Sequence, residues 1–334
     1  MIWLTWRQFR AQALIGLAAL AALAIFLVIL GMRIRGTYDA NVTDCGTTCS
    51  VTNARDIMED TYFGTLLLAG LLIVLVPALL GAFWGAPLVA REIETGTYRL
   101  VWNQSITRTR WLAVKLTFVT LAGVALAGAF SLLLTWAASP YDKLLTARFE
   151  PLIFPTRNIV PLGYAAFAVT AGIVIGLLIR RTIPAMAVTL AVFAALQILV
   201  PTFLRPHLQP PVTETVAFTA DTTVSEFSTG GPTNKGVSIN GYGSAVPGSW
   251  MLSGRVPLLD AAGNQATRDT IDGCLKGDFR RDMACVAQQN MHFEVKYQPA
   301  SRYWTFQWLE FGAYLLLGGL LAGFAFWRVR RGLS

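Results

Sequence analysis

The stretch REIETGTYRLVWNQSITRTRWLAVK, residues 91–115, decides how the rest of the chain is read. It carries five basic residues (Arg91, Arg99, Arg108, Arg110 and Lys115) and two carboxylates (Glu92 and Glu94) between two long apolar runs. Charges are costly in hydrocarbon, so a segment of this kind between greasy runs suits a loop at a membrane surface. The composition agrees. Of 334 residues, 54% are hydrophobic and 14% charged, with a mean hydropathy of +0.52. Soluble domains carry about a quarter charged residues.

Six apolar runs meet the length of about 20 residues that a helix needs to cross a bilayer. They are 11–31, 61–90, 116–140, 158–179, 182–204 and 303–327. Only the last holds a charge, Glu310. The first run is too long for a signal-peptide core and is followed by GMRIRG, so it is expected to remain as a span. The second is longer than the hydrocarbon core requires, with Pro77 and Pro87 as candidate kink sites.

Orientation follows from the basic residues. With the N terminus inside, segments 1–10, 91–115, Arg180–Arg181 and 328–334 hold twelve basic residues and two acids. The outer segments 33–62, 139–157 and 205–302 are three times as long and hold fifteen basic residues against sixteen acids. Short basic loops dominate this rule, so both termini are expected in the cytoplasm. The net charge of +8 then belongs to the membrane boundary, which argues against nucleic acid as a partner.

The cysteines follow the same division. Cys45 and Cys49 fall in the first outer segment, Cys274 and Cys285 in the last, which reads as disulfides on an oxidising side. Three connectivities exist, of which the local pairs Cys45–Cys49 and Cys274–Cys285 are favoured over free thiols. With two histidines in the chain, His207 and His292, a metal site has little support. Residues 205–302 change composition altogether. TETVAFTADTTVSEF alternates as strands do, STGGPTNKGVSINGYGSAVPGSW supplies turn residues, and the surroundings of Cys285 read as helix. A small, strand-containing external domain is expected there. The segment between the third and fourth runs, SPYDKLLTARFEPLIFPTRNIVP, reads as a surface helix or a shallow re-entrant stretch. MIWLTWRQFR reads as a short interfacial helix ahead of the first span.

Catalytic motifs are missing. There is no GxxxxGK[ST], HExxH or GxSxG; GGPTNKG has the wrong spacing for a P-loop. The chain is therefore read as a non-enzyme without a cofactor or metal of its own. Gln197, Gln307 and Glu310 are the informative polar residues inside spans, candidates for a substrate pathway or gate, or for a structural role. Gly172 with Gly176, and Gly319 with Gly323, are spaced for close helix contact.

The order of residues in 91–115 is more specific than a solvated loop needs. Two glutamates precede Gly96, then TYRLVW offers an amphipathic turn, NQS breaks or caps it, and TRTRW with Lys115 returns to the membrane. This closely resembles the loop after the second span in ABC-2-type transporter permeases, in particular the branch common in high-GC Gram-positive bacteria. The resemblance extends to WLTWRQFR at 3–10, RRTIPAMAVTL at 180–190, FLRPHLQPP at 203–211, FQWLEFGAYL at 306–315 and WRVRR at 327–331.

The resemblance implies an all-α membrane protein with six transmembrane helices of ABC-2 type. It implies a connecting helix at 1–10, helices one to five over 11–204, an extracellular domain at 205–302, and a sixth helix with its tail at 303–334. A second permease subunit, an identical copy, would complete the pathway. Two ATPase subunits would bind ATP and Mg and seat the coupling helix at 92–103, with Glu92, Glu94, Gly96, Thr97, Tyr98, Arg99, Trp102 and Arg108 as the coupling residues. The family implies export of an amphipathic substrate (antibiotic, peptide or lipid-like) across the bacterial cytoplasmic membrane. The alternative is an ABC-type complex that senses an external ligand without net transport.

Overall fold

The computed structural model describes residues 2–44, 50–97, 107–145, 148–219, 222, 226–230, 236–240, 246, 248–276 and 279–331. Among them are six helices long and apolar enough to cross a membrane. The first is α1 (Ile2–Tyr38), which continues through a π-helical turn to Thr43. The opening segment is not set apart as a short helix of its own. No glycine or proline stands between Ile2 and Gly16, so nothing ends the helix before the apolar run begins.

The second span is one rod in three parts: α2 (Val51–Leu79), a π-helical stretch (Leu80–Gly85), and α3 (Ala86–Glu94). Ser50 starts it, its hydroxyl accepting the amide of Asn53. These 44 residues reach about 66 Å at 1.5 Å per residue, about twice the thickness of the hydrocarbon core. Pro77 and Pro87 bracket the π-helical stretch. Each lacks an amide hydrogen, so the i→i−4 ladder is interrupted twice within ten residues, and wider π turns fill the gap.

The third span, α4 (Arg108–Leu145), runs on through Pro140. Arg35 of α1 donates to the Trp136 carbonyl at 2.6 Å and lies over the Trp136 ring at 4.0 Å, so α1 and α4 are joined near the ends of their apolar runs. After α4 the chain tucks back as turns and a 3-10 turn, Phe154–Thr156, which is buried. Arg157 pairs with Asp142 at 3.0 Å, and Ser131 and Thr135 hold the backbone of Asn158, whose φ is +58°.

The fourth and fifth spans are α5 (Val160–Ile179) and α6 (Thr182–Leu199), the latter continuing through π and 3-10 turns to His207. Arg180 ends α5 in the left-handed region at φ +59°, and Arg181 returns to extended backbone, so the reversal takes two residues. The sixth span is α9 (Tyr303–Arg330). α5 is the centre of the membrane unit. It is apolar all round and buried through most of its length, as a helix enclosed by others must be.

Small residues set how close that enclosure is. A Cβ on Gly172 would lie 2.2 Å from the Gly81 carbonyl oxygen, and one on Gly176 would lie 2.5 Å from that of Ala86. From the other side, a Cβ on Gly81 or Gly85 would meet the carbonyls of Ala168 and Val169 at 2.5 and 2.6 Å. The second and fourth spans thus meet backbone to backbone. Gly319 and Gly323 have nothing within 4 Å of such a Cβ among the described residues, so the same spacing there closes on no described helix.

The second compact unit comprises Thr146–Phe149 and Gln209–Tyr303. Its strands are β1 (Val212–Ala217), β2 (Glu226–Gly230), β3 (Gly236–Asn240), β4 (Trp250–Met251), β5 (Arg255–Pro257) and β6 (His292–Gln298). They form two antiparallel sheets ordered β1-β6-β4 and β2-β3-β5. Between β5 and β6 lie α7 (Arg268–Ile271) and α8 (Phe279–Ala287). One core of Val237, Ile239, Val256, Leu258, Phe293 and Val295 with Met283 and Val286 joins strands to helix. Cys274 and Cys285 are bonded across that helix; Cys45 and Cys49 lie outside the described residues.

Two outcomes follow. Gly172→Ala should destabilise the membrane unit by about 1–3 kcal/mol through forced separation of two backbones, whereas Gly319→Ala should be neutral, both read by thermal melting in detergent. Equal effects at the two sites would contradict the packing. Cys285→Ala should cost the second unit about 2–3 kcal/mol, because an eleven-residue closure is released in its unfolded state. Thiol reagents should find Cys274 and Cys285 blocked until reduction.

Candidate functional site

The end of the second span carries Glu92 and Glu94, two residues apart and therefore pointing to different sides of one helix. Glu92 turns to α4. Its Oε1 pairs with Lys115 Nζ at 2.6 Å, and its Oε2 accepts from Trp111 Nε1 at 3.2 Å. Lys115 also donates to the Leu88 carbonyl at 3.1 Å and sits 5.0 Å from the Trp111 ring centre. Trp111 and Lys115 are both buried. The ammonium needs this set of partners, because a buried charge without them would be strongly unfavourable. The result joins the helices on either side of residues 95–107.

Glu94 turns to α6. Its Oε2 accepts from the Thr182 amide at 3.0 Å and from the Thr182 hydroxyl at 2.7 Å. Thr182 is the first residue of α6, so its amide has no partner within its own helix. A carboxylate from another helix supplies the cap, at the positive end of the α6 dipole. Thr95 and Gly96 close the end of α3 on the carbonyls of Arg91 and Ile93, with Gly96 at φ +72°. Thr97 donates to the Glu92 carbonyl at 3.4 Å. Arg108 begins α4 and is exposed. Tyr98, Arg99 and Trp102 lie outside the described residues.

A second polar cluster lies deeper, where the fifth and sixth spans meet the fourth. Glu310 on α9 is fully buried and accepts from Arg205 Nε at 2.7 Å, Arg205 NH2 at 3.0 Å and Tyr164 Oη at 2.6 Å. Arg205 follows the π turn at the end of the fifth span and lies 4.3 Å from the Phe154 ring centre of the tucked-in segment. Gln307, one helical turn from Glu310, accepts from the Val160 amide and donates to the Phe154 carbonyl, both at 3.3 Å. Tyr314 packs edge-on against Tyr164 at 4.6 Å. Four elements are pinned at one locus.

Of the three candidate pathway residues, Glu310 and Gln307 are brought together, while Gln197 stands apart on α6. The Gln197 side-chain nitrogen is buried and has no hydrogen-bond partner among the described residues. Sequence reasoning did not single out Arg205, Tyr164, Trp111 or Thr182. Arg205 had a usable signal: a lone arginine directly after an apolar run is a natural counter-ion for the lone Glu310. Thr182 had none, since its partner is 88 residues away.

The Arg205–Glu310 pair fixes an expected outcome. Arg205→Ala or Glu310→Ala should each cost about 3–5 kcal/mol, because each strands the other charge in a dry interior. The double variant Arg205→Ala with Glu310→Ala should lose less than the two single variants summed. Additive losses in thermal melting would show that the pair does not act as one unit.

Neither a curated protein nor a solved structure matches the chain. The family described as ABC-2 membrane transporter related matches residues 17–205, which take in the first five spans, both glutamates of the loop and Arg205. Members of that family are the membrane components of ABC transport systems and work with an ATPase partner. With six apolar helices and a match across more than half its length, this multi-pass membrane chain belongs to the ABC-2 membrane transporter related family.

Proposed function

We propose that the chain is the permease subunit of an ATP-driven exporter in a bacterial cytoplasmic membrane, with both termini on the cytoplasmic side. Its cargo is amphipathic: an antibiotic, a peptide or a lipid-like molecule. Two copies of the permease enclose the pathway, and two ATPase subunits bind ATP and Mg below them. The unit formed by Gln209–Tyr303 is extracellular.

One observation carries the reading. The helices flanking loop 95–107 are clamped by Glu92, Trp111 and Lys115 at the base of the loop. A push on the loop therefore acts on two spans as one body, which is what a mechanical coupling element needs. The face offered to the ATPase is the loop itself: Gly96, Thr97, Tyr98, Arg99, Trp102 and Arg108. Of the three candidate pathway residues, Gln197 is the one with hydrogen-bond capacity left for cargo, a property that Thr120 of the third span shares, while Gln307 and Glu310 hold the helices that border the pathway.

Purification of the tagged chain from its native membrane should bring down a protein with the GxxxxGK[ST] motif that this chain lacks. Trp102→Ala should weaken that association about 30-fold, the effect of removing an aromatic anchor worth about 2 kcal/mol. Inverted vesicles should take up a lipophilic fluorophore only with ATP. An ATPase that co-purifies and responds to an external ligand without flux would favour the sensory reading.

A further inference from the structure

We propose that Glu94 is a positioning residue that couples the ATPase-facing loop to the fifth span through Thr182, and that it makes no contact with the ATPase. The inference rests on the permease reading and adds a route that the loop alone does not reveal.

The geometry is asymmetric. Glu92 secures the second span to the third, its neighbour across the loop, so those two helices would move together even if the loop were only a tether. Glu94 secures the second span to the fifth, which is remote in sequence. Both bonds to Thr182 converge on the same oxygen, Oε2, one from the amide and one from the hydroxyl. The amide bond caps the first turn of α6, so the carboxylate holds the start of that helix rather than a side chain along it.

The surroundings make the bond consequential. Arg180 and Arg181 form a two-residue reversal, which leaves α6 no slack at this end. α6 buries Ala185, Thr189 and Phe193 along its length, and Ala185 packs on Ala86 and Ala90 of α3, so the Glu94 bond adds a directional tie at the end of an existing apolar contact. A displacement of α3 is then passed to α6 at its N-terminal end, and α6 bears Gln197 and ends at Arg205. One carboxylate links the loop to the helix that borders the proposed pathway.

The test uses the permease with whatever ATPase co-purifies, in lipid nanodiscs. Spin labels are placed at Ile183→Cys, an 80% exposed position on α6, and at Leu121→Cys, a 62% exposed position on α4, and their separation is measured with and without ATP and vanadate. Glu94→Gln removes the charge, Thr182→Val removes the hydroxyl alone, and Thr182→Ser keeps both donors. The ATP-dependent change in separation should be lost in Glu94→Gln and reduced by more than half in Thr182→Val. Thr182→Ser should retain it, and the ATPase should stay bound in all three. A full change in separation in Glu94→Gln overturns the inference. So does loss of the ATPase in Glu94→Gln but not in Thr182→Val, which would make Glu94 a direct contact. If the unaltered chain carries no ATPase, the permease reading itself falls.

Discussion

The close approach of the second and fourth spans is the constraint on which the membrane unit depends. Gly81, Gly85, Gly172 and Gly176 remove side chains from both faces, so carbonyl oxygens lie where Cβ atoms would otherwise stand. In a bilayer no hydrophobic force drives one apolar helix onto another, and van der Waals packing at close range has to supply the preference. The π-helical stretch sits at this contact. Its extra residue per turn resets which side chains face α5, so the glycines face inward while α3 beyond it turns Glu92 and Glu94 toward α4 and α6. The placement of both carboxylates is a consequence of a packing event some ten residues earlier.

A helix gripped this closely can serve as the fixed body against which others are held. α5 also supplies Tyr164 to the Glu310 cluster, and its first turn gives the Val160 amide to Gln307. The cluster therefore anchors the end of the fifth span and the start of the sixth to the same central helix. Each charge in it is satisfied: Glu310 accepts three hydrogen bonds, and Arg205 faces a carboxylate and an aromatic ring. Polar groups so completely paired define register among helices whose apolar surfaces would tolerate sliding. Gln197, lacking such a set, is different in kind from Gln307 despite their identical chemistry.

Much of this was legible in the sequence. The number of spans follows from apolar length, because a bilayer imposes one scale on every helix. The external-type composition of 205–302 and the local Cys274–Cys285 pair were likewise readable, since turn residues and short cysteine spacing are local signals. The Gly172–Gly176 spacing was visible, but the same spacing at Gly81–Gly85 was passed over and Gly319–Gly323 closes on nothing among the described residues. Spacing reports the capacity for contact and leaves the partner open. The Arg205–Glu310 bond left a trace in two lone charges at the ends of apolar runs, whereas the Glu94–Thr182 bond joins residues 88 positions apart and no local pattern encodes such a partner.

The loop that first drew attention for its charge contributes less free charge than its composition suggests. Glu92 and Lys115 neutralise each other within the helix pair, and Glu94 is committed to the start of α6. Among the described residues, the charges that the segment leaves exposed beside Glu94 are arginines: Arg91 at the end of α3, and Arg108 and Arg110 at the start of α4. Arg91 is favourably placed at a helix C terminus, while Arg110 sits in the first turn of α4, where a cation is disfavoured by the helix dipole. A cation kept there against its own helix dipole fits the enrichment of Arg and Lys in the short segments that flank membrane spans, which the stability of the helix itself does not supply.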